Sequence, residues 1–148
     1  YPEYTDVSGI QLQHSSEFLA ELLARGDVPL GRVEQPVTYH DPCDLGRKGG
    51  IYDEPRAILA KIPGIEFVEM ASNRANALCC GGGGNLESLE NALSAAIADR
   101  RLAQAQAISA EVIVSACQQC QRTLGAAARR NKVRVQVMDI AQILEATL

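Results

Sequence analysis

Residues 112–148 read VIVSACQQCQRTLGAAARRNKVRVQVMDIAQILEATL, and this stretch decides the fold. Val112-Ile113-Val114-Ser115 is an unbroken apolar, β-favouring run, and Cys117 to Asn131 reads as a helix. Val133 to Val137 reads as a second strand and Ile140 to Leu148 as a closing helix. A short strand that is apolar on both faces belongs in a sheet covered on both sides, and strands separated by helices must cross over to pair in parallel.

The same alternation holds upstream. A polar lead-in, Tyr1 to Gly9, precedes Ser15-Ser16-Glu17, which caps an apolar stripe of Phe18, Leu19, Leu22 and Leu23 closed by Gly26, predicting a helix at about 15–25. Val37-Thr38-Tyr39-His40 predicts a strand that stops at Asp41-Pro42 and delivers Cys43 to a loop. Glu54-Pro55-Arg56 opens a helix that Pro63-Gly64 ends, and Ile65 to Met70 resumes a strand. Leu86, Leu89, Leu93 and Ile97 recur at spacings of three and four, predicting one long helix from about 86 to 107. The expectation is an α/β protein, a mostly parallel β-sheet flanked by helices in a single compact domain over 1–148, with its site at the carboxyl ends of the strands.

Composition narrows the function. The 148 residues are 47% hydrophobic with a formal charge of −4, and no basic face is available for nucleic acid beyond Arg129-Arg130-Asn131-Lys132, read as charges closing a helix. No apolar run approaches the roughly 20 residues of a membrane span, and no signal peptide is evident. A cytoplasmic protein is expected, with any membrane association made through partner subunits. The chain opens at Tyr1 rather than Met, so further sequence is expected upstream.

Five cysteines leave an odd thiol over, which argues against a disulfide framework and for metal or redox chemistry. They are Cys43, the vicinal pair Cys79-Cys80, and Cys117 and Cys120. Cys117 opens a helix, where backbone N–H groups favour its thiolate, and Cys120 lies one turn on, on the same side. A vicinal pair fits awkwardly as two ligands of one tetrahedral ion and is easier to explain flanking several metal atoms. Gly81, Gly82 and Gly83, in a run of four glycines, let backbone approach a metal and offer N–H groups to its sulfurs. No GxxxxGK[ST] lysine accompanies that run, so a phosphate cradle is disfavoured.

Taken together, Tyr39-His40-Asp41-Pro42-Cys43-Asp44-Leu45-Gly46-Arg47, Cys79-Cys80 with Gly81 to Gly84, and Cys117-Gln118-Gln119-Cys120 resemble the CCG cysteine-rich domain family, over about residues 12–148. That family includes the B and D components of heterodisulfide reductase and the iron–sulfur subunits of glycolate, lactate and glycerol-3-phosphate oxidation systems. The resemblance implies a noncubane [4Fe–4S] cluster held by Cys43, Cys79, Cys80, Cys117 and Cys120, with zinc as the alternative. It also implies partners of the ferredoxin-like or flavin kind, and electron transfer to a disulfide, a quinone or a partner.

Two departures stand out: Cys-Gln-Gln-Cys replaces the frequent Cys-Pro-x-Cys, and one motif copy is present where complete members usually carry two. With no ferredoxin cysteine run either, the chain is expected to be the C-terminal part of a longer iron–sulfur subunit. His40 is a candidate catalytic proton donor to a leaving thiolate, or a hydrogen-bond donor to a cluster sulfur. Arg47 and Lys48 are read first as solvated loop charges and second as attractors of an anion.

Overall fold

The computed structural model describes residues 8–26 and 28–148; most of the polar lead-in expected at 1–9 lies outside them. Helix α1 (Ser15–Arg25) is followed by strand β1 (Pro36–Tyr39), helix α2 (Asp53–Lys61) and strand β2 (Glu66–Phe67). Then come α3 (Leu86–Leu89), α4 (Asn91–Ala107), β3 (Val112–Ser115), α5 (Gln118–Arg130), β4 (Gln136–Asp139) and α6 (Ile140–Glu145). The four strands form one sheet in the order β2-β1-β3-β4, every pair parallel. The α/β architecture expected from the alternation is therefore the one observed.

Period-two alternation divides the core between the two faces of the sheet. Val37, Tyr39, Val112 and Val114 pack with Leu23, Ile58, Leu59, Ile140 and Ile143, from α1, α2 and α6. Ile113 points the other way, into Ala98, Leu102, Ala105, Leu124 and Ala127 of α4 and α5, and Cys80 and Cys120 belong to this second cluster. The central register, Val37↔Val112 to Tyr39↔Val114, sets the carboxyl ends of β1 and β3 side by side, and Cys43 and Cys117 follow those two ends.

Several boundaries differ from expectation, each for a local reason. The cap of α1 is His14 rather than Ser15: its Nδ1 accepts from Ser16 N, and its own backbone N–H donates to Glu17 Oε2 at 2.7 Å. Gly26 closes the helix in the left-handed region at φ 79°. The segment expected to be strand to Met70 pairs only as far as the Val68 N–H, which donates to Val37 O, because Glu69 turns aside to Arg56. The strand expected at 133–137 starts at Gln136, since Val133 N–H still donates to Ala128 O and so closes α5. The last helix ends at Glu145 rather than Leu148.

The long helix expected at 86–107 is two helices. Glu90, at φ −137° and ψ 69°, breaks it. The buried stripe of α4 is Ser94, Ala98, Arg101, Leu102 and Ala105. Leu89 and Leu93 are 78% and 51% exposed, so the leucine spacing marked the wrong face.

Candidate metal centre

Three elements carry the five cysteines to one place. β1 runs into Asp41-Pro42-Cys43 and a tight turn in which Lys48 N–H donates to Cys43 O and Gly49 N–H to Asp44 O. β3 ends one residue before Ala116 and Cys117, and Cys117 caps α5 in an extended conformation (φ −150°), with Cys120 on the first turn. The vicinal pair arrives on the segment between β2 and α3. Arg47 ties that segment to the Cys43 turn, donating through Nη1 to Ala77 O at 3.0 Å.

The thiols form a continuous group. Cys43 acts electrostatically on Cys79, Cys79 hydrogen-bonds to Cys80, Cys80 to Cys120, and Cys120 to Cys117. Cys80 and Cys120 are buried, Cys43 and Cys117 half-buried and Cys79 exposed; all five are free. The ligand atoms of His40, Cys80 and Cys120 lie within 4.8 Å of one another.

Their acidities separate. The Cys120 side chain, with the backbone N–H groups of Cys120 and Gln119 at the start of α5, lowers Cys117 to about 6. Hydrogen bonds from Cys120, His40 and the Gly82 N–H hold Cys80 well below the usual thiol range. Cys120, donating to both, is pushed far up, and burial raises Cys79 against the pull of the Gly81 N–H.

Two of the three candidate glycines face sulfur. Gly81 N–H donates to Cys79 Sγ at 3.3 Å and Gly82 N–H to Cys80 Sγ at 3.4 Å. Gly81 sits at φ +85°, and a Cβ there would lie 2.5 Å from Ser94 O; at Gly82 it would lie 2.1 Å from Thr123 Oγ1. A Cβ on Gly83 would meet nothing within 4 Å, and among the described residues its backbone gives no bond to sulfur.

His40 is buried at 1% exposure, held by its N–H to Val114 O at 2.8 Å and by Ser115 Oγ to its carbonyl at 3.1 Å. Its Nδ1 accepts from Arg101 Nε at 3.0 Å. Burial, with Arg101 adding to it, lowers the imidazole below its usual range. Lys48 pairs with Asp44 in solvent, in line with the solvated reading of that charge.

Sequence reasoning missed three supports of the site. Asp41, at the end of β1, is gripped by Arg56 Nη1 and Nη2 at 2.8 and 3.0 Å, accepts the Arg74 N–H, and shares Arg56 with Glu69. Gln119 Nε2 donates to Gly82 O and Thr123 Oγ1. Arg101, fully buried in α4, donates to His40, Ser72 O and Gln104, while its Nη2 has no partner among the described residues. Burial lowers Arg101 to about 10, opposed by Asp41, Glu69 and Cys120, so it stays cationic at neutral pH. An Arg on the small-residue stripe of α4 was the one signal for it.

The donor set suits an iron–sulfur group. Five soft thiols exceed the four of a tetrahedral zinc. Backbone N–H groups already address two of the sulfurs, and a buried cation stands beside a group that carries thiolate charge.

The cysteine-rich domain model of the CCG family matches residues 37–125. The chain is 35% identical over 139 residues to the D component of dihydromethanophenazine:CoB–CoM heterodisulfide reductase from Methanosarcina mazei, covering 93% of this chain and 34% of that protein. It is 37% identical to the probable iron-sulfur-binding oxidoreductase FadF of Bacillus subtilis, covering 90% of this chain and 19% of that one. It is 33% identical to the B component of fumarate reductase (CoM/CoB) from Methanothermobacter marburgensis, covering 98% and 28%. The chain thus spans about a third or less of the length of these relatives. With the matched segment running from β1 through Cys120 in α5, the chain belongs to the CCG cysteine-rich domain family.

Proposed function

We propose that this chain is an iron–sulfur redox domain of a longer oxidoreductase subunit. In this reading Cys43, Cys79, Cys80, Cys117 and Cys120 hold a noncubane [4Fe–4S] cluster that exchanges electrons with a disulfide, a quinone or a partner protein. The observation that carries it is the linked run of thiols Cys79, Cys80, Cys120 and Cys117, with Cys43 acting electrostatically on Cys79. The relatives named above, components of heterodisulfide reductase and fumarate reductase and an iron–sulfur-binding oxidoreductase, support it.

Bound there, such a cluster supplies one-electron chemistry. The protein's share is to keep Cys80 and Cys120 dry, to direct the Gly81 and Gly82 N–H groups at sulfur, and to leave Cys79 and Cys117 toward solvent. An open cleft of about 570 Å³, lined by Leu12, Pro42, Leu45, Ile51, Ala116 and Cys117, gives an apolar acceptor a place beside the Cys117 thiol.

The test is anaerobic purification and reconstitution, with visible absorption and EPR followed during titration with a disulfide. A broad visible band and a new paramagnetic signal on titration support the reading. A zinc-containing, spectrally silent protein replaces it with a structural zinc module that assembles partner subunits.

A further inference from the structure

Arg101 is the least expected group in the core: a guanidinium with no exposure, on a helix stripe otherwise made of Ser94, Ala98, Leu102 and Ala105. Burying a cation is costly unless it is paired or hydrogen-bonded. Its Nη1 is held by Ser72 O at 2.6 Å and Gln104 Oε1 at 2.7 Å, and Gln104 is itself anchored to Ser72 Oγ. These bonds fix the plane of the guanidinium and present Nε to His40 Nδ1 at 3.0 Å.

Chemistry settles which atom gives the proton. A guanidinium has donors and no acceptor, so His40 Nδ1 must offer its lone pair, and the ring hydrogen of the neutral imidazole is then on Nε2. Cys80, whose sulfur lies within 4.8 Å of a His40 ring nitrogen, is the remaining side-chain partner of the imidazole.

We propose that Arg101 is a positioning residue of the metal centre: it locks His40 in the Nε2–H tautomer, so that His40 donates a hydrogen bond to the Cys80 sulfur and is not itself a metal ligand. The inference rests on the cysteine cluster proposed above but concerns residues that can be observed without it. The trio of His40, Cys80 and Cys120 has the spacing of a ligand set, yet the Arg101 bond leaves His40 no lone pair to give. A sulfur that accepts a hydrogen bond donates less charge to iron, which raises the reduction potential. The cation beside Cys120 acts in the same direction.

The chain holds two histidines, His14 and His40, so long-range proton–nitrogen NMR on histidine-labelled protein reads the tautomer directly. The His14→Asn variant, which keeps a capping side chain on α1, assigns the signals. Measured before and after anaerobic iron–sulfide reconstitution, His40 is expected to carry its proton on Nε2 alone. A proton on Nδ1, or a mixture of tautomers in both samples, overturns the proposal.

His40→Gln, which keeps a donor near the Nε2 position, is expected to retain the wild-type iron per chain. Loss of iron makes His40 a ligand and overturns it too. Arg101→Gln is expected to shift the midpoint potential to more negative values and to release the single tautomer; an unchanged potential and tautomer contradict the assignment. If no iron binds to any variant, the cluster reading fails while the tautomer result still decides this one.

Discussion

Gln119 Nε2 donates to Gly82 O at 2.9 Å, joining the first turn of α5 to the glycine run behind the vicinal cysteines. The same amide reaches Thr123 Oγ1, and Thr123 Oγ1 donates to Gln119 O. The second residue between Cys117 and Cys120 therefore acts as a brace between two cysteine-bearing segments.

Gln119→Leu should cost about 1–3 kcal/mol, the cost of leaving the buried Gly82 carbonyl without its donor. Urea unfolding of the chain reads the stability, and the rate of iron loss to a chelator reads the brace. Faster loss than in wild type is expected.

The glycines should separate by position. Gly82→Ala drives a Cβ into Thr123 Oγ1 and Gln119 Nε2, for a cost of about 1–3 kcal/mol from overpacking. Gly83→Ala meets nothing within 4 Å and should stay within about 0.5 kcal/mol of wild type. Thermal melts of the two variants make the comparison.

Arg56→Leu strips Asp41 of its bidentate partner and leaves a buried carboxylate beside the Cys43 loop. The expected loss is about 3–5 kcal/mol, the usual cost of breaking a buried pair from one side. Arg56→Leu with Asp41→Leu should recover part of it, although the Arg74 N–H then loses its acceptor. Denaturant midpoints of the single and double variants test both statements.

Thiol reactivity should sort with acidity in the metal-free chain. Cys117, held at about 6, is mostly thiolate at pH 7, and its alkylation should rise with pH through about 6 and then level off. Cys79 is the more exposed thiol but is raised above the usual range, so its alkylation should still be climbing above pH 9. Peptide mapping after a short iodoacetamide pulse at several pH values distinguishes them, and Cys79 leading at pH 7 would contradict the assignment.

Much of the fold was legible because its signals were local. Val112 to Ser115 reads as a buried strand from composition alone, Gly26 marks the end of α1, and Pro55 sits in the first turn of α2. Elements failed where tertiary contacts decided. Val133 has strand propensity but is spent closing α5, and the leucines at 86, 89 and 93 suggested a helix face that the chain breaks at Glu90 and leaves largely to solvent. The true buried stripe of α4 is built of small residues and one arginine, a pattern that hydrophobic periodicity passes over.

The convergence of the five cysteines was foreshadowed by their positions after strands and at a helix start. Their support was not, because Arg101 lies 61 residues from His40, Gln119 lies 37 from Gly82, and Arg56 joins Asp41 to Glu69 across two loops. Such pairs depend on strand order, which spacing along the chain does not encode.

Native mass spectrometry of the anaerobically reconstituted chain is the decisive measurement. An iron–sulfur centre on these cysteines should appear as an adduct of four irons and four sulfides on the wild-type chain, sharply reduced in Cys80→Ser and in Cys120→Ser. A single zinc ion without sulfide, retained in either variant, would contradict it.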